Sequence, residues 1–182
     1  MALIESFPDV KVIKAKTFND ERGSFYKLMS IDLLKYAGVK KPILEINRSI
    51  TNNKGAIRGM HFQYPPFHET KIISCLRGCV NDVVVDIKKD SPTFLDHISI
   101  ELCSDLNNII IIPGGYAHGF QTLCSHCELI YFHDQIYNKD KEGALRYDDP
   151  ALSIKWNQKC TDISKRDRMH NLIDNTFTGL NL

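Results

Sequence analysis

Long apolar runs are missing from this chain: the longest aliphatic stretch, Ile109 to Ile112, stops at Pro113-Gly114-Gly115, far short of a bilayer crossing. An excess of one charge is missing as well. Lys and Arg number 23 against 22 Asp and Glu, a formal net charge of +1, so no global field draws the protein to nucleic acid or to an anionic membrane. An anionic ligand must therefore be held locally. Ten glycines and seven prolines in 182 residues are too few for collagen or a low-complexity linker, and 43% hydrophobic with 25% charged residues excludes a disordered chain. Met1 to Lys14 contain no basic segment followed by an apolar one, so no secretory leader is visible and the cytoplasm is the expected compartment.

Cysteine, by contrast, is not scarce: Cys75, Cys79, Cys103, Cys124, Cys127 and Cys160 make six. In a cytoplasmic chain of this length the thiols are expected to stay reduced, most of them serving as small apolar residues. On the same expectation the sequon Asn47-Arg48-Ser49 stays unmodified. Cys124-Ser125-His126-Cys127 has redox or zinc spacing, but three residues separate Cys75 from Cys79, so a second knuckle for a zinc site is missing.

The length suits one hydrophobic core, and no repeat or linker divides the chain, so 1–182 is read as a single domain. Short β-branched, partly alternating runs separated by turn residues predict a mainly β sandwich or barrel. The strands expected are Val10 to Lys14, Ile43 to Ile50, Lys71 to Arg77, Val80 to Ile87, His97 to Leu102, Ile109 to Ile112, Gly119 to Leu123 and Glu128 to His133. One helix is expected from Ser30 to Ala37, with Ser30 as N-cap and Gly38 just beyond its end. A second helical turn is expected at Ser164-Lys165-Arg166-Asp167, which resembles a capping box.

Polar chemistry is densest in Arg58-Gly59-Met60-His61-Phe62-Gln63, followed by Tyr64-Pro65-Pro66 and Lys71. In an extended segment Ile57, Gly59, His61 and Gln63 share one face, with Arg58 and Phe62 opposite, which can aim an imidazole into a barrel lumen or outward. Pro113 to Phe120 places a second histidine, His118, among glycines that permit close backbone approach; taken alone, this is also the pattern of a tight hairpin with a surface histidine.

With their flanks, these segments resemble the nucleotide-sugar 3,5-epimerase family, of which dTDP-4-dehydrorhamnose 3,5-epimerases are typical. The likeness runs through Phe18 to Gly23, Arg58 to Gln63, Val83 to Asp86, Ser91 to Phe94, Ile112 to Phe120, Tyr131, Tyr147 to Pro150, Ile154 to Trp156 and Ile163 to Asp167. Single pieces are weak; their order and spacing are specific. The resemblance implies a cupin-like double-stranded β-helix that works without a cofactor or metal, forms a homodimer through exchanged N-terminal strands, and has no nucleic-acid or membrane partner. Its substrate would be a nucleotide-diphosphate 4-keto-6-deoxysugar, most simply dTDP-linked, inverted at C3, C5 or both.

The resemblance also implies roles. His61 matches the base that removes a proton next to the C4 ketone, Asp167 the carboxylate that orients it, and Tyr131 the acid on the opposite face. Lys71 matches a lysine near the developing enolate; Arg22, Arg58 and His118 match phosphate and sugar positions. Phe25, Glu45, Asn47, Gln63 and Tyr137 complete the expected substrate-binding set. The chain departs from the common pattern with Lys27 in place of a carboxylate, Glu45 and Glu69 in place of glutamines, Gly114 in place of a glutamate and Phe132 in place of a lysine. Acid and base are untouched; the departures bear on the nucleotide and the end product.

Two other readings stand beside this one. A metal-dependent cupin is suggested by Pro113-x-Gly-x-x-His118, although His61-Phe62-Gln63 supplies one imidazole where a metal site needs a His-x-His pair. A non-catalytic nucleotide-sugar-binding module would keep the barrel without turnover.

Overall fold

The computed structural model describes residues 2–182, with side chains from Phe7 onward; Met1, the first residue of the N-terminal reading, lies outside the described residues. In chain order the strands are β1 (Ala2–Phe7), β2 (Val10–Lys14), β3 (Thr17–Asp20), β4 (Gly23–Tyr26), β5 (Glu45–Thr51), β6 (Ala56–Gln63) and β7 (Lys71–Arg77). They continue as β8 (Cys79–Asp86), β9 (His97–Cys103), β10 (Asn108–Ile112), β11 (Tyr116–Thr122), β12 (Cys127–His133), β13 (Glu142–Ala144) and β14 (Asp162–Ile163). Helices α1 (Ile31–Ala37) and α2 (Lys165–Arg168) interrupt them, and none is long and apolar enough to cross a membrane.

Two sheets face each other. One runs β1-β2-β10-β7-β12-β5 and the other β13-β6-β11-β8-β9, with β14 added parallel to β6; among the described residues every other pairing of these strands is antiparallel. This is the mainly β, cupin-like architecture expected. All eight expected strands form, two with the expected ends and the rest with ends moved by up to three residues. Beyond these eight, β6 forms over the segment read only as extended and polar, while strand β1, the β3–β4 hairpin, β13 and β14 escaped the sequence reading because they are short, polar, or free of apolar alternation.

Burial explains why the aliphatic run is continuous. Ile110 and Ile112 of β10 point between the sheets with Val10, Val12, Ile73, Val84 and Phe120, whereas Ile109 and Ile111 point outward beneath α1 with Ile13, Ile72 and Leu33. A strand covered on both faces needs no polar positions, and each buried isoleucine contributes roughly 1.5–3 kcal/mol. Helix α1 forms as its signals dictate: Ser30 Oγ accepts from Leu33 N at 3.2 Å, and Gly38 closes the helix in the left-handed region. The outer face of the second sheet is covered by Leu145, Leu152, Trp156, Phe177 and Leu180 of the C-terminal segment.

The cysteine expectation needs one correction. Cys79 and Cys103 stand directly opposite each other in the β8–β9 register, 4.1 Å apart at Cα, and are joined as a disulfide. Their pairing is set by strand register across 24 residues, which spacing along the chain does not show. Cys75 and Cys127 are free and buried, as expected of small apolar residues.

A second correction concerns β6. His118 faces His61 but Phe120 faces Arg58, so β6 carries an extra residue here, a bulge that changes the phase of its side chains. Arg58 and His61, expected on opposite faces, therefore reach the same cavity. The bulge depends on Gly59, whose φ is +126° and where an added Cβ would overlap Gly119 Cα and lie 2.8 Å from His118 O. Gly59→Ala is expected to destabilise the protein by at least about 2 kcal/mol in urea unfolding, because both backbone strain and a backbone clash oppose it. Gly38→Ala, with a φ of +78° and open space around its Cβ, should cost only about 1 kcal/mol.

Candidate active site

Between the sheets, at the end away from the apolar cluster, lies a cavity of about 530 Å³. The first sheet contributes Asn47, Ser49, Lys71, Tyr131 and His133, the second Arg58, His61 and His118, and the C-terminal segment Ser164, Arg166 and Asp167. Alternation puts these polar residues inside: Asn47, Ser49 and Thr51 of β5 share a face with Leu129, Tyr131 and His133 of β12.

On the β6 wall, His61 Nε2 lies 2.9 Å from Asp167 Oδ1. Asp167 was open to two readings, a helix cap partner and a carboxylate for the base, and it is both. Its backbone N–H donates to Ser164 Oγ at 3.0 Å, which nucleates α2, while its carboxylate turns to the imidazole. Burial works to raise the Asp167 carboxyl, but the hydrogen bond and charge of His61, the Gly59 N–H and Arg166 outweigh it and hold it down at about 2. Arg166 Nη2 stands 3.3 Å from His61 Nε2 and Nη1 donates to Glu142 at 2.9 Å.

On the facing β12 wall the Tyr131 hydroxyl is 3.0 Å from Ser49 Oγ. Burial pushes this phenol well above its ordinary pKa; the Ser49 bond and Arg58 oppose the shift and Asp82 adds to it, so it carries its proton at neutral pH. Tyr131 packs edge-on to His118 and stacks on His133, with ring centroids 6.5 and 6.1 Å away. Glu69 binds Lys71 Nζ at 2.7 Å and His133 Nδ1 at 2.9 Å. Burial alone would raise Glu69, but Lys71 and His133 bring it down to about 2, so a carboxylate stands between the Lys71 ammonium and the His133 ring at the cavity wall. His118, no surface hairpin residue, is buried, with Nε2 2.8 Å from the fully buried Asp82.

Of the twelve candidate residues, His61, Tyr131, Asp167, Asn47, Arg58, Lys71 and His118 line this cavity. Five do not. Gln63 is buried and ties two loops together, donating to Phe67 O and Ile136 O and accepting from Asn138 N at 2.7 Å. Glu45 accepts from Tyr137 N at 3.3 Å, and the exposed Tyr137 donates to Glu142 at 2.9 Å, the same carboxylate that holds Arg166 at the rim. Arg22 and Phe25 sit on the β3–β4 hairpin, a separate two-stranded sheet, where Arg22 pairs with Asp20 at 2.6 Å and Phe25 is 65% exposed. Ser49, His133 and Arg166 were missed; the alternation of Asn47 and Ser49, and of Tyr131 and His133, was the available signal.

Each imidazole in the cavity is engaged by a carboxylate of its own, Asp167, Asp82 or Glu69, so the three do not form a shared ligand set. Among the described residues, the His, Cys, Asp or Glu ligand atoms that converge within 4.8 Å are those of Cys79, Glu101 and Cys103, none of which lines the cavity. Cys79 is bonded to Cys103 and so does not complete a four-cysteine knuckle with Cys124 and Cys127.

The chain is similar to known proteins along most of its length. The family model described as dTDP-4-dehydrorhamnose 3,5-epimerase matches residues 5–175. A dTDP-4-dehydrorhamnose 3,5-epimerase of Shigella flexneri is 34% identical over 161 residues, 88% of each chain. The crystal structure of the Bacillus anthracis dTDP-4-dehydrorhamnose 3,5-epimerase, with TDP and PPi bound, aligns with a TM-score of 0.90 and 35% identity, covering 94% of this chain and 99% of that one. The dTDP-6-deoxy-D-glucose-3,5-epimerase of Legionella pneumophila, in complex with dTDP-4-keto-L-rhamnose, aligns at 0.91 with 30% identity over 99% and 97% of the two chains. The chain belongs to the dTDP-4-dehydrorhamnose 3,5-epimerase family.

Proposed function

We propose that this protein epimerises a dTDP-linked 4-keto-6-deoxysugar at C3, C5 or both, by removing a proton next to the C4 ketone on one face and returning one on the other. The observation that carries this reading is the placement of a histidine–carboxylate pair, His61 and Asp167, and a protonated phenol, Tyr131, on opposite sheets that face one cavity. Inversion requires this two-sided arrangement, since a single group can only return the proton to the face it came from.

With Nε2 held by Asp167, Nδ1 of His61 is the nitrogen left to take the carbon-bound proton, and the ionised Asp167 stabilises the imidazolium as it forms. Negative charge moves onto the ketone oxygen, where Lys71, kept in place by Glu69, meets it. Tyr131 then protonates the carbon from the far side. Arg58, anchored by Thr51 Oγ at 3.0 Å and Ile50 O at 3.1 Å, offers its remaining donors to the diphosphate, with Asn47 and Arg166 at the mouth. The bound ligands of the Bacillus and Legionella relatives support thymidine diphosphate as the carrier.

The working form in this proposal is a cytoplasmic homodimer of single-domain chains. Pairing through the N-terminal strands gives Arg22 and Phe25 a place: the exposed β3–β4 hairpin of one copy would reach the cavity of the other and supply a guanidinium for the diphosphate and a ring for the base. Edge strands β1 and β5 leave the first sheet open for such pairing.

In D2O the wild-type protein should place solvent deuterium at C3, C5 or both, read by NMR of the product. His61→Asn should lower exchange and inversion by about 10³-fold or more, and Asp167→Asn by about 10²-fold or more, with far-UV circular dichroism showing that the β fold is kept. Tyr131→Phe should still exchange, through proton return by His61, while inversion falls about 10²- to 10⁴-fold. Substrate binding by the wild type with no exchange at either carbon would instead favour the binding-module reading. For the dimer, Arg22→Ala and His61→Asn chains mixed after co-refolding should regain about a quarter of wild-type activity, since half the dimers then hold one intact site. No complementation would remove Arg22 from the site.

A further inference from the structure

Each inversion leaves the cavity in the wrong protonation state: an imidazolium at His61 and a phenolate at Tyr131. Both must be reset before the next inversion, and if two carbons are inverted in one visit the sugar still fills the cavity while this happens. His61 can release its proton outward, since its side chain is 28% exposed and the exposed Arg166 flanks it at the rim. Tyr131 has no such exit once a sugar lies against it. Its phenolate is also costly, because burial favours the protonated form.

Among the described residues, the phenol oxygen has one hydrogen-bond partner, Ser49 Oγ at 3.0 Å. Ser49 lies on β5, the edge strand of its sheet, and is half-buried in the cavity wall, while Asn47, two residues away on the same face, is exposed at the cavity mouth. Its hydroxyl therefore stands between the enclosed phenol and the mouth of the cavity. A hydroxyl is also the side-chain group that can donate and accept at once without changing its own net protonation.

We propose that Ser49 is the proton relay that reloads Tyr131 between inversions. The Ser49 O–H bond gives its proton to the phenolate oxygen while a water at the cavity mouth beside Asn47 gives one to Ser49 Oγ. The hydroxide left behind is neutralised by the proton that His61 sheds, so Ser49 ends unchanged and the enzyme returns to its starting state. This inference rests on Tyr131 acting as the acid. Ser49 works through Tyr131 and is a positioning and relay residue, not one that touches the reacting carbon.

The test compares wild type, Ser49→Ala and Ser49→Thr with dTDP-4-keto-6-deoxy-D-glucose in single-turnover quench-flow and in steady state. For Ser49→Ala the first inversion should run within about twofold of wild type, while steady-state kcat falls about 10-fold or more with KM little changed. Singly inverted product should accumulate if the wild type inverts two carbons. Ser49→Thr should restore the rate, and added methanol should partly rescue the alanine variant. An unchanged steady-state rate in Ser49→Ala overturns the relay, as does a first turnover slowed as much as later ones, which would mean that Ser49 only orients the phenol. Absence of any inversion in the wild type overturns the epimerase reading itself, and the relay with it.

Discussion

A single hydrogen bond, His61 Nε2 to Asp167 Oδ1, ties the middle of the second sheet to a helical turn 106 residues further along the chain. A carboxylate buried this deeply is tolerated only when its charge is met, and here His61, the Gly59 N–H and the Arg166 guanidinium meet it. The bond thereby fixes where the C-terminal segment crosses β6, and β14 reinforces that crossing by pairing in parallel with Ala56 and Ile57. The same contact closes one wall of the cavity and sets the orientation of the base.

The space between the sheets is divided chemically along its length. One end holds Val10, Val12, Ile100, Leu102, Ile110 and Ile112 and is closed by packing. Towards the other end the inward positions become His61, Lys71, His118, Tyr131 and His133, and side chains of this kind cannot fill a core unless their polar atoms are satisfied. Each buried cation or imidazole accordingly has a carboxylate: Asp82 for His118, and Glu69 shared by Lys71 and His133. These pairs hold their geometry before any substrate arrives, which is the condition for electrostatic stabilisation of an enolate without reorganisation. Glu69 stands out in this respect, because a glutamine in its place would hydrogen-bond Lys71 but would not carry the charge that holds both neighbours.

The proposed homodimer would account for two of the five residues that the isolated chain leaves outside the cavity. Among the described residues, the hairpin that carries Arg22 and Phe25 has no strand partner beyond itself, and Phe18 beside them is 54% exposed. A hairpin carrying two exposed rings and a guanidinium suits a surface that a second copy covers.

Local chemistry was legible in the sequence. Strands β2 and β7, helix α1 with its Ser30 and Gly38 caps, and the Ser164 turn all form where alternation and capping place them, since each depends on residues within a few positions of one another. His61, Tyr131 and Asp167 were legible only as matches to a family pattern. What spacing could not show was decided between distant segments: the bulge that turns Arg58 to the side of His61, the Cys79–Cys103 pairing, the withdrawal of Gln63 into a structural role, and the entry of Ser49 and His133 into the cavity wall. Periodicity fixes which side chains alternate, but the face that becomes the inside depends on strand register and on where two sheets meet, and those are properties of the packed chain.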